Sequence, residues 1–229
     1  MIVRFGLLTR RAGLTPAAFR RHWRERHGPL AAKLPGLRGY QQNHVVEAAQ
    51  RGISFARGDW AIDGLSQLWF DDVAAMRAAI GSDAYPPIAA DSPAFLVRTQ
   101  VLVAEPQVIL AMPAESGPMI KRMSFIARRP GIDDARFRHE WLEVHGPLVR
   151  GFPGLVAYTQ NHILDREAVP GTSCPREALP IDGLVEMWFR DEAALQAAFA
   201  SPAGQETMRH AQTFLGEITT FLVEPVRIV

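Results

Sequence analysis

The sequence carries one series of motifs twice, about half of the chain apart. The first copy reads Phe19-x-x-x-Trp23-x-x-x-His27-Gly28-Pro29-Leu30, then Pro35-Gly36-Leu37, then Tyr40-x-Gln42-Asn43-His44. The second copy repeats these letters at a constant shift of 118 positions, from Phe137 to His162. A period of this length predicts two copies of one domain rather than a solenoid of short repeats. We expect domains at residues 1–110 and 119–229, joined by a short linker at 111–118 that is rich in turn residues.

The composition of the 229-residue chain is typical of a folded globular protein, with 48% hydrophobic and 21% charged residues. A formal net charge of +1 gives no electrostatic footprint for nucleic acid. The single cysteine, Cys174, excludes an intrachain disulfide and a thiolate metal cluster. The sequence has neither a signal-peptide pattern nor an apolar run long enough for a membrane helix, so we expect a cytoplasmic protein without membrane contact.

Hydrophobic periodicity predicts the element order β-α-β-β-α-β in each copy. The proline after Thr15 in the first copy and the acidic Asp133 in the second copy indicate helix starts. Gly28-Pro29 is typical of a helix end. The long stretches between the second and third strands, 47–62 and 165–181, are predicted to be loops. In the first copy we expect strands at 3–9, 37–46, 64–70 and 94–105, and a second helix over 72–80.

An antiparallel sheet with both helices on one face leaves its other face uncovered, and two tandem copies can cover each other. The expected fold class is therefore α+β. Two tandem ferredoxin-like (βαββαβ) repeats would form an intramolecular dimeric α/β barrel with a pseudo-twofold axis. We expect a pocket between or within the two sheets.

His27 and its counterpart His145 are the first candidates for chemistry. Phe19, Trp23 and His27 follow one another at a spacing of four, which places them on one helix face. An imidazole with a pKa near 6.5 could move protons in either direction at neutral pH. The alternative is that a histidine in a last helical turn only complements the helix dipole.

The second strand supplies the next candidates. Tyr40, Gln42 and His44 alternate along it, and we expect this face to point toward the barrel interior, where it would meet a ligand. A satisfied polar network that fills a narrow barrel is the alternative. No His-Glu-x-x-His pattern or other metal-ligand spacing occurs, and no glycine-rich phosphate loop does, so we expect no metal and no cofactor.

Taken together, these motifs resemble the EthD domain family of dimeric α/β barrel proteins, over essentially the whole chain. The resemblance implies that the two copies replace the two subunits of a dimer. Similar members include muconolactone isomerases, cofactor-free decarboxylases and cyclases that act on aromatic or polyketide-like acids, and a protein associated with ether degradation. In the methylmuconolactone isomerases the histidine of the HGP motif and a tyrosine of the following strand are implicated. They match His27 and Tyr40 here, and His145 and Tyr158 in the second copy, whereas the accompanying cysteines have no equivalents.

We therefore expect a cofactor-independent enzyme that uses His/Tyr acid-base chemistry on a small aromatic or lactone carboxylic acid, with a role in the catabolism of aromatic compounds. Decarboxylation is slightly favoured over isomerisation, since no cysteine is available. A non-catalytic binder or carrier of a hydrophobic metabolite is the alternative, and haem binding is a third. The two pockets are expected to be unequal because a duplicated site is free to decay, and pairing of two tandem chains into a homodimer stays open.

The expected catalytic residues are His27, Tyr40, His145 and Tyr158. The residues expected to contact the substrate or form the pocket wall are Trp23, Gln42, His44, Trp69, Trp141, Gln160, His162 and Trp188.

Overall fold

The computed structural model describes residues 1–114 and 117–229, so two positions of the predicted linker lie outside the described residues. The first repeat contains β1 (Ile2–Arg10), α1 (Pro16–His22), a π-helical turn (Trp23–His27), α2 (Gly28–Ala31), β2 (Gly39–Glu47), β3 (Gly64–Phe70), α3 (Val73–Ile80), α4 (Tyr85–Phe95) and β4 (Leu96–Leu110). The second repeat contains β5 (Ile120–Arg128), α5 (Asp134–His139), a π-helical turn (Glu140–His145), α6 (Gly146–Arg150), β6 (Leu155–Val169), β7 (Thr172–Ser173), a 3₁₀ turn (Arg176–Ala178), β8 (Gly183–Phe189), α7 (Glu192–Ala200), α8 (Pro202–Phe214) and β9 (Leu215–Arg227).

Eight strands form one closed barrel from the two repeats. Their order is β4-β1-β3-β2-β9-β5-β8-β6, and β6 pairs back with β4, while the short β7 extends the edge of β6. The pairs β2–β9 and β4–β6 join one repeat to the other, and both are antiparallel. The predicted barrel of two tandem repeats is thus confirmed. The bounds of the two domains, 1–110 and 119–229, stay a prediction.

Side chains fill the interior of the barrel, and a polar cluster lies among them. Lys121 Nζ donates to Asn43 Oδ1 at 3.0 Å and to Gln67 Oε1 at 2.9 Å, and it pairs with Glu186 Oε2 at 2.6 Å. Gln67 Nε2 donates to Glu186 Oε1 at 2.9 Å. Burial lowers the pKa of the Lys121 ammonium, which Glu186 partly offsets.

The expected orientation of the second strand was wrong. Asn43, together with Gln41, faces the barrel interior, whereas Tyr40, Gln42 and His44 lie beneath the helices. The face that carries Asn43 was expected to contact the helices, because its other residues are small or aliphatic. In the structure Asn43 lies in the barrel interior, where Lys121 and Gln67 bond to it.

The helices begin where the caps predict, but the first one does not end at Gly28-Pro29. The Thr15 side chain accepts from Ala18 N, and that of Asp133 accepts from Arg136 N. The helix widens to a π turn in which Gly28 N–H donates to Trp23 O, and it then continues as α2. A proline inside an α-helix would lack a donor and clash with the carbonyl four residues earlier. The wider turn relieves both problems at Pro29.

Three further expectations were wrong. Helices α4 and α8 precede the last strand of each repeat, where a loop and the start of a strand were expected. Three prolines hide the helical pattern of α4, whereas α8 has a single proline, in its first turn, and its pattern was overlooked. Two of the α4 prolines occupy the first turn, where no N–H is needed. The stretch 165–181 is not a plain loop, since β6 runs to Val169 and turns back into β7. Among the described residues, no helix has both the length and the apolar character needed to cross a membrane.

Candidate active site

A cavity of about 370 Å³ lies between the barrel and the helices of the first repeat. Strands β1 to β4 form its floor, and the π turn, α2 and α4 form its roof. Trp23, His27 and Tyr40 line it, so three of the predicted site residues share one cavity. The expectation of a pocket between the sheets was wrong, because the barrel interior holds the packed polar cluster and apolar side chains.

The π turn brings His27 to this cavity and holds Trp23 behind it. A Cβ at Gly64 would lie 2.4 Å from Trp23 Cζ3, so the indole fits only over a glycine. The equivalent Cβ at Gly183 would lie 2.3 Å from Trp141 Cζ3. The Asp-Gly-Leu motif therefore makes room for the tryptophan of the helix, which explains why both elements occur in both repeats.

Tyr40 is buried, and its hydroxyl oxygen accepts two hydrogen bonds. Trp23 Nε1 donates to it at 3.0 Å and Gln42 Nε2 at 3.1 Å, while the same amide donates to Trp23 O at 2.8 Å. A Cβ at Gly28 would come within 3.0 Å of that Nε2, so the glycine of the HGP motif gives Gln42 access. With both acceptor positions used, the Tyr40 O–H hydrogen is left to donate to a ligand. Burial raises the pKa of Tyr40 to about 12, which keeps that proton in place.

His27 is oriented by a carboxylate that the sequence motifs did not indicate. Asp91, on α4, accepts from His27 Nδ1 at 2.9 Å. His22 Nε2 lies 3.0 and 3.1 Å from the two oxygens of the same carboxylate. Asp91 therefore fixes the His27 tautomer with the proton on Nδ1 and leaves Nε2 as the basic nitrogen. Within residues 1–114 and 117–229, no protein group bonds to this Nε2.

Electrostatics keep His27 neutral near pH 7. Burial is the largest influence and lowers the pKa of His27, while the hydrogen bond to Asp91 and its charge raise it. His27 is 9% exposed, so the ring is screened from bulk water yet borders the cavity. A neutral imidazole with a fixed tautomer and an unpartnered Nε2 can act as a general base.

The second repeat has the same plan with different residues. His210 takes the place of Asp91, at a shift of 119, and Glu140 takes the place of His22, at a shift of 118. His145 Nδ1 lies 3.3 Å from His210 Nδ1, and His210 Nε2 lies 3.2 Å from Glu140 Oε2. Burial and the neighbouring His210 lower the pKa of His145 to about 3.

The second cavity is much smaller, with a volume of about 50 Å³. His145, Trp141 and Tyr158 line it, but larger side chains fill the space. Met208 stands where the first repeat has Ala89, and Phe199 stands where it has Ile80. An open surface groove of about 340 Å³ lies beside it, and neither His145 nor Tyr158 lines that groove.

The other predicted pocket residues do not line either cavity. His44 and His162 pack against the indoles of Trp23 and Trp141, with centroid distances of 4.7 and 4.5 Å. Gln160, like Gln42, bonds the tyrosine hydroxyl and the tryptophan carbonyl of its own repeat. Trp69 packs on the interior cluster, and the Trp188 ring lies 5.2 Å from Lys121 Nζ.

The residues missed by sequence reasoning are Asp91, Glu140 and His210, and also Arg4, whose guanidinium borders the first cavity. Helices α4 and α8 carry Asp91 and His210, and neither helix was expected. The match of Phe95 with Phe214 extends the repeat into this region and was the one available signal. These phenylalanines pack on His27 and His145, with centroid distances of 4.9 and 5.5 Å.

Solved structures share this fold at low sequence identity. One described as an anthrone oxidase-like protein is 13% identical with a TM-score of 0.65, and the match covers 99% of this chain and 93% of that one. A dye-decolorizing peroxidase from Bacteroides thetaiotaomicron VPI-5482 is 5% identical with a TM-score of 0.55, over 97% of this chain and 92% of that one. An EthD family protein from Bacillus halodurans C-125 is 21% identical with a TM-score of 0.36, over 46% of this chain and 98% of that one.

At these identities the first two likenesses concern the fold alone. No curated protein matches the chain in sequence. A family model, the EthD domain, matches residues 11–99 and again residues 129–217, which together make up more than half of the chain. The protein therefore belongs to the EthD domain family and contains two tandem copies of the domain.

Proposed function

We propose that the first repeat is a cofactor-independent acid-base enzyme site for a small aromatic or lactone carboxylic acid. The observation that carries the proposal is the pair of His27 and Asp91 at a cavity of about 370 Å³ that Tyr40 also lines. The base and a hydrogen-bond donor thus face the same enclosed space. The second repeat has the same two side-chain types but a cavity of only about 50 Å³.

Each side chain has one role in the proton transfer. His27 Nε2 takes a proton from the substrate or returns one, and Asp91 stabilises the imidazolium that forms. Tyr40 donates its O–H to the substrate oxygen on which negative charge develops. The buried walls exclude water and strengthen both interactions. General acid-base catalysis of this kind contributes about 10²–10⁴-fold to the rate.

Decarboxylation is the reaction we favour, with isomerisation second. In decarboxylation the bond between the carboxylate carbon and its neighbour breaks, and carbon dioxide leaves. The electron pair stays on the neighbouring carbon, which takes one proton from Nε2 of His27 in its imidazolium form, and solvent then returns a proton to His27. In isomerisation His27 removes a proton from one carbon and returns it to another, so the mass is unchanged. The chain has a single cysteine, Cys174, which packs on the barrel-interior cluster and does not line the first cavity.

The test is to incubate the purified protein with phenolic acids, aryl-propenoic acids and muconolactones, and to separate the products by mass. Loss of carbon dioxide identifies a decarboxylase, and an unchanged mass at a new retention time identifies an isomerase. His27→Gln should abolish the conversion, and His145→Gln is the matched control. If every compound returns unchanged, the proposal fails.

A non-catalytic binder is the second candidate, and the mainly apolar wall of the first cavity favours it. A binder would raise the melting temperature with a ligand from the same panel without converting it. His27→Gln would then have little effect on affinity. A cytoplasmic location and pairing of two tandem chains also stay predictions, to be checked by fractionation and by sedimentation.

A further inference from the structure

Arg4 is a buried cation whose hydrogen-bonding capacity is unused. It lies on β1, borders the first cavity, and its side chain is 10% exposed. In the part of the chain that the structure describes, its guanidinium donates no hydrogen bond to a protein group. The nearest carboxylate oxygen, Glu167 Oε2, is 3.8 Å from Nη2, which is longer than a hydrogen bond.

The equivalent arginine of the second repeat is occupied. Arg122, 118 positions later, donates from Nη1 to Arg51 O at 2.9 Å. Its guanidinium also lies over the Phe199 ring, 4.4 Å from the centroid. The equivalent position thus carries an arginine that is hydrogen-bonded to the backbone where the cavity is small, and one without a hydrogen bond to the described residues where the cavity is large. The free N–H donors of Arg4 are therefore available to a ligand.

The barrel register places Arg4 on the face that carries Tyr40. Arg4 pairs with Leu68, and Leu68 pairs with Tyr40, so the three residues form one row across β1, β3 and β2. Two strand spacings separate the ends of this row by roughly 10 Å. A ligand that bridges the row needs an anionic group at the Arg4 end and a hydrogen-bond acceptor at the Tyr40 end.

We propose that Arg4 is the carboxylate-binding residue of the first cavity, and this inference rests on the proposed function. A guanidinium binds a carboxylate with two parallel N–H donors, which is the geometry that Arg4 has free. The substrate class is then an elongated monocarboxylic acid, one ring or short chain in length. Because the ion pair forms when the acid binds, Arg4 is a binding residue, and its loss is expected to weaken affinity for the acid.

Without a bound acid, Glu167 is the carboxylate nearest to the Arg4 guanidinium. It lies near the turn between β6 and β7, and it accepts from Gly171 N at 2.8 Å. Pro170 of the same turn borders the cavity, so the second repeat covers part of the first repeat's site. The incoming carboxylate competes with Glu167 for Arg4, and Glu167→Gln is expected to tighten acid binding.

The experiment is a calorimetric titration with 4-hydroxycinnamate and with its neutral amide. Wild-type protein should bind the acid more tightly than the amide. Arg4→Gln should weaken acid binding roughly ten- to hundredfold, the usual effect of losing a charged hydrogen bond, and leave amide binding unchanged. Arg4→Lys should restore part of the loss. The amide serves as the control for folding, since it uses the same cavity without the anion.

Three outcomes would overturn the inference. Arg4→Gln could bind the acid as wild type does, or lose the acid and the amide equally, which would indicate a structural role. Arg98 is an exposed arginine at the cavity rim. Acid binding could also be lost in Arg98→Gln and retained in Arg4→Gln. Acid binding through Arg4 without turnover of any acid would retain this inference and overturn the proposed function. Turnover with an Arg4→Gln affinity like that of wild type would do the reverse.

Discussion

The two repeats arrange the same candidate catalytic side chain, a histidine, in opposite electrostatic settings. In the first, His27 faces the Asp91 carboxylate at 2.9 Å, and in the second, His145 faces the His210 imidazole at 3.3 Å. In the second site the carboxylate is that of Glu140, which contacts His210 and not His145. An imidazolium at position 27 is stabilised by a direct anion, and one at position 145 is not. We therefore expect that the HGP motif alone is not sufficient for proton transfer.

The segments that cover the two sites differ as well. Ile53, from the stretch after β2, reaches the second cavity, where Arg51 O accepts from Arg122. Arg51 also bonds Glu47 and Glu192, which fixes this cover on α7. The cover of the first cavity is the turn at Pro170, and that cavity retains about 370 Å³. The two repeats thus contain one large and one small version of the same cavity.

The largest expected effect separates the two histidines. His27→Gln removes the base and should reduce kcat/KM about 10²–10⁴-fold on whichever acid the protein converts. His145→Gln should leave kcat/KM nearly unchanged, because its cavity has no room for the acid. Steady-state kinetics of the two variants measures this ratio. Equal losses would show that both repeats work and would remove the asymmetry.

Asp91→Asn tests whether the direct anion is what distinguishes the first site. We expect kcat/KM to fall roughly 10–100-fold, as for loss of a charged hydrogen bond. Asp91 raises the pKa of His27 against the effect of burial, so its removal lowers that pKa further. In isomerisation, where neutral His27 is the base, the acidic limb of the pH–rate profile should therefore move to lower pH, and in decarboxylation, where the imidazolium gives the proton, the basic limb should move to lower pH. Glu140→Gln is the control and should change neither the rate nor the profile.

Substitutions at Ala89 and Met208, which occupy equivalent positions in the two cavities, should reduce the volume of the first cavity and increase that of the second. Ala89→Met is expected to fill the first cavity and weaken binding of an acid roughly tenfold or more. Met208→Ala should enlarge the second cavity at a cost of about 1–2 kcal/mol, below the range for a fully buried methionine, since Met208 is only half-buried. Calorimetry and chemical denaturation measure the two effects. Unchanged binding by Ala89→Met would place the ligand elsewhere.

The smallest expected effect is on stability in acid. Burial lowers the pKa of His145 to about 3 and that of His44 to about 4, whereas both are near 6.5 when unfolded. Between about pH 6.5 and pH 4 the unfolded chain binds more protons, so the free energy of unfolding falls as the pH falls. His145→Gln should reduce this fall more than His27→Gln does, because the pKa of His27 is lowered less. The free energy of unfolding in urea is measured at about pH 7 and about pH 4.5. The difference between the two values removes any cost of the substitution that does not depend on pH. An equal reduction in both variants would contradict the effect of the different neighbours, Asp91 beside His27 and His210 beside His145.

Sequence reasoning predicted the barrel because the repeat and the strand alternation carry that information directly. The resemblance to the EthD domain family paired His27 with Tyr40, whereas strand spacing placed Tyr40 on the wrong face. Sequence reasoning missed Asp91 because Pro86, Pro87 and Pro93 obscure the helix that presents it. It reversed the faces of β2 because both faces are polar, and only the partners Lys121 and Gln67, distant in sequence, decide between them. Contacts of this kind are properties of the folded chain and leave no local pattern.

One contact inside the barrel has a consequence for how such a protein can evolve. Gln67 and Glu186 occupy equivalent positions in the two repeats, and they bond to each other. A dimer of identical chains must place the same residue on both sides of such a contact, because its twofold axis passes through it. Two glutamates there would repel, and an amide donor meets a carboxylate only when the partners differ. With two copies in one polypeptide, the two equivalent positions can carry different residues. An amide–carboxylate pair at this contact can therefore form in a tandem chain but not in a homodimer.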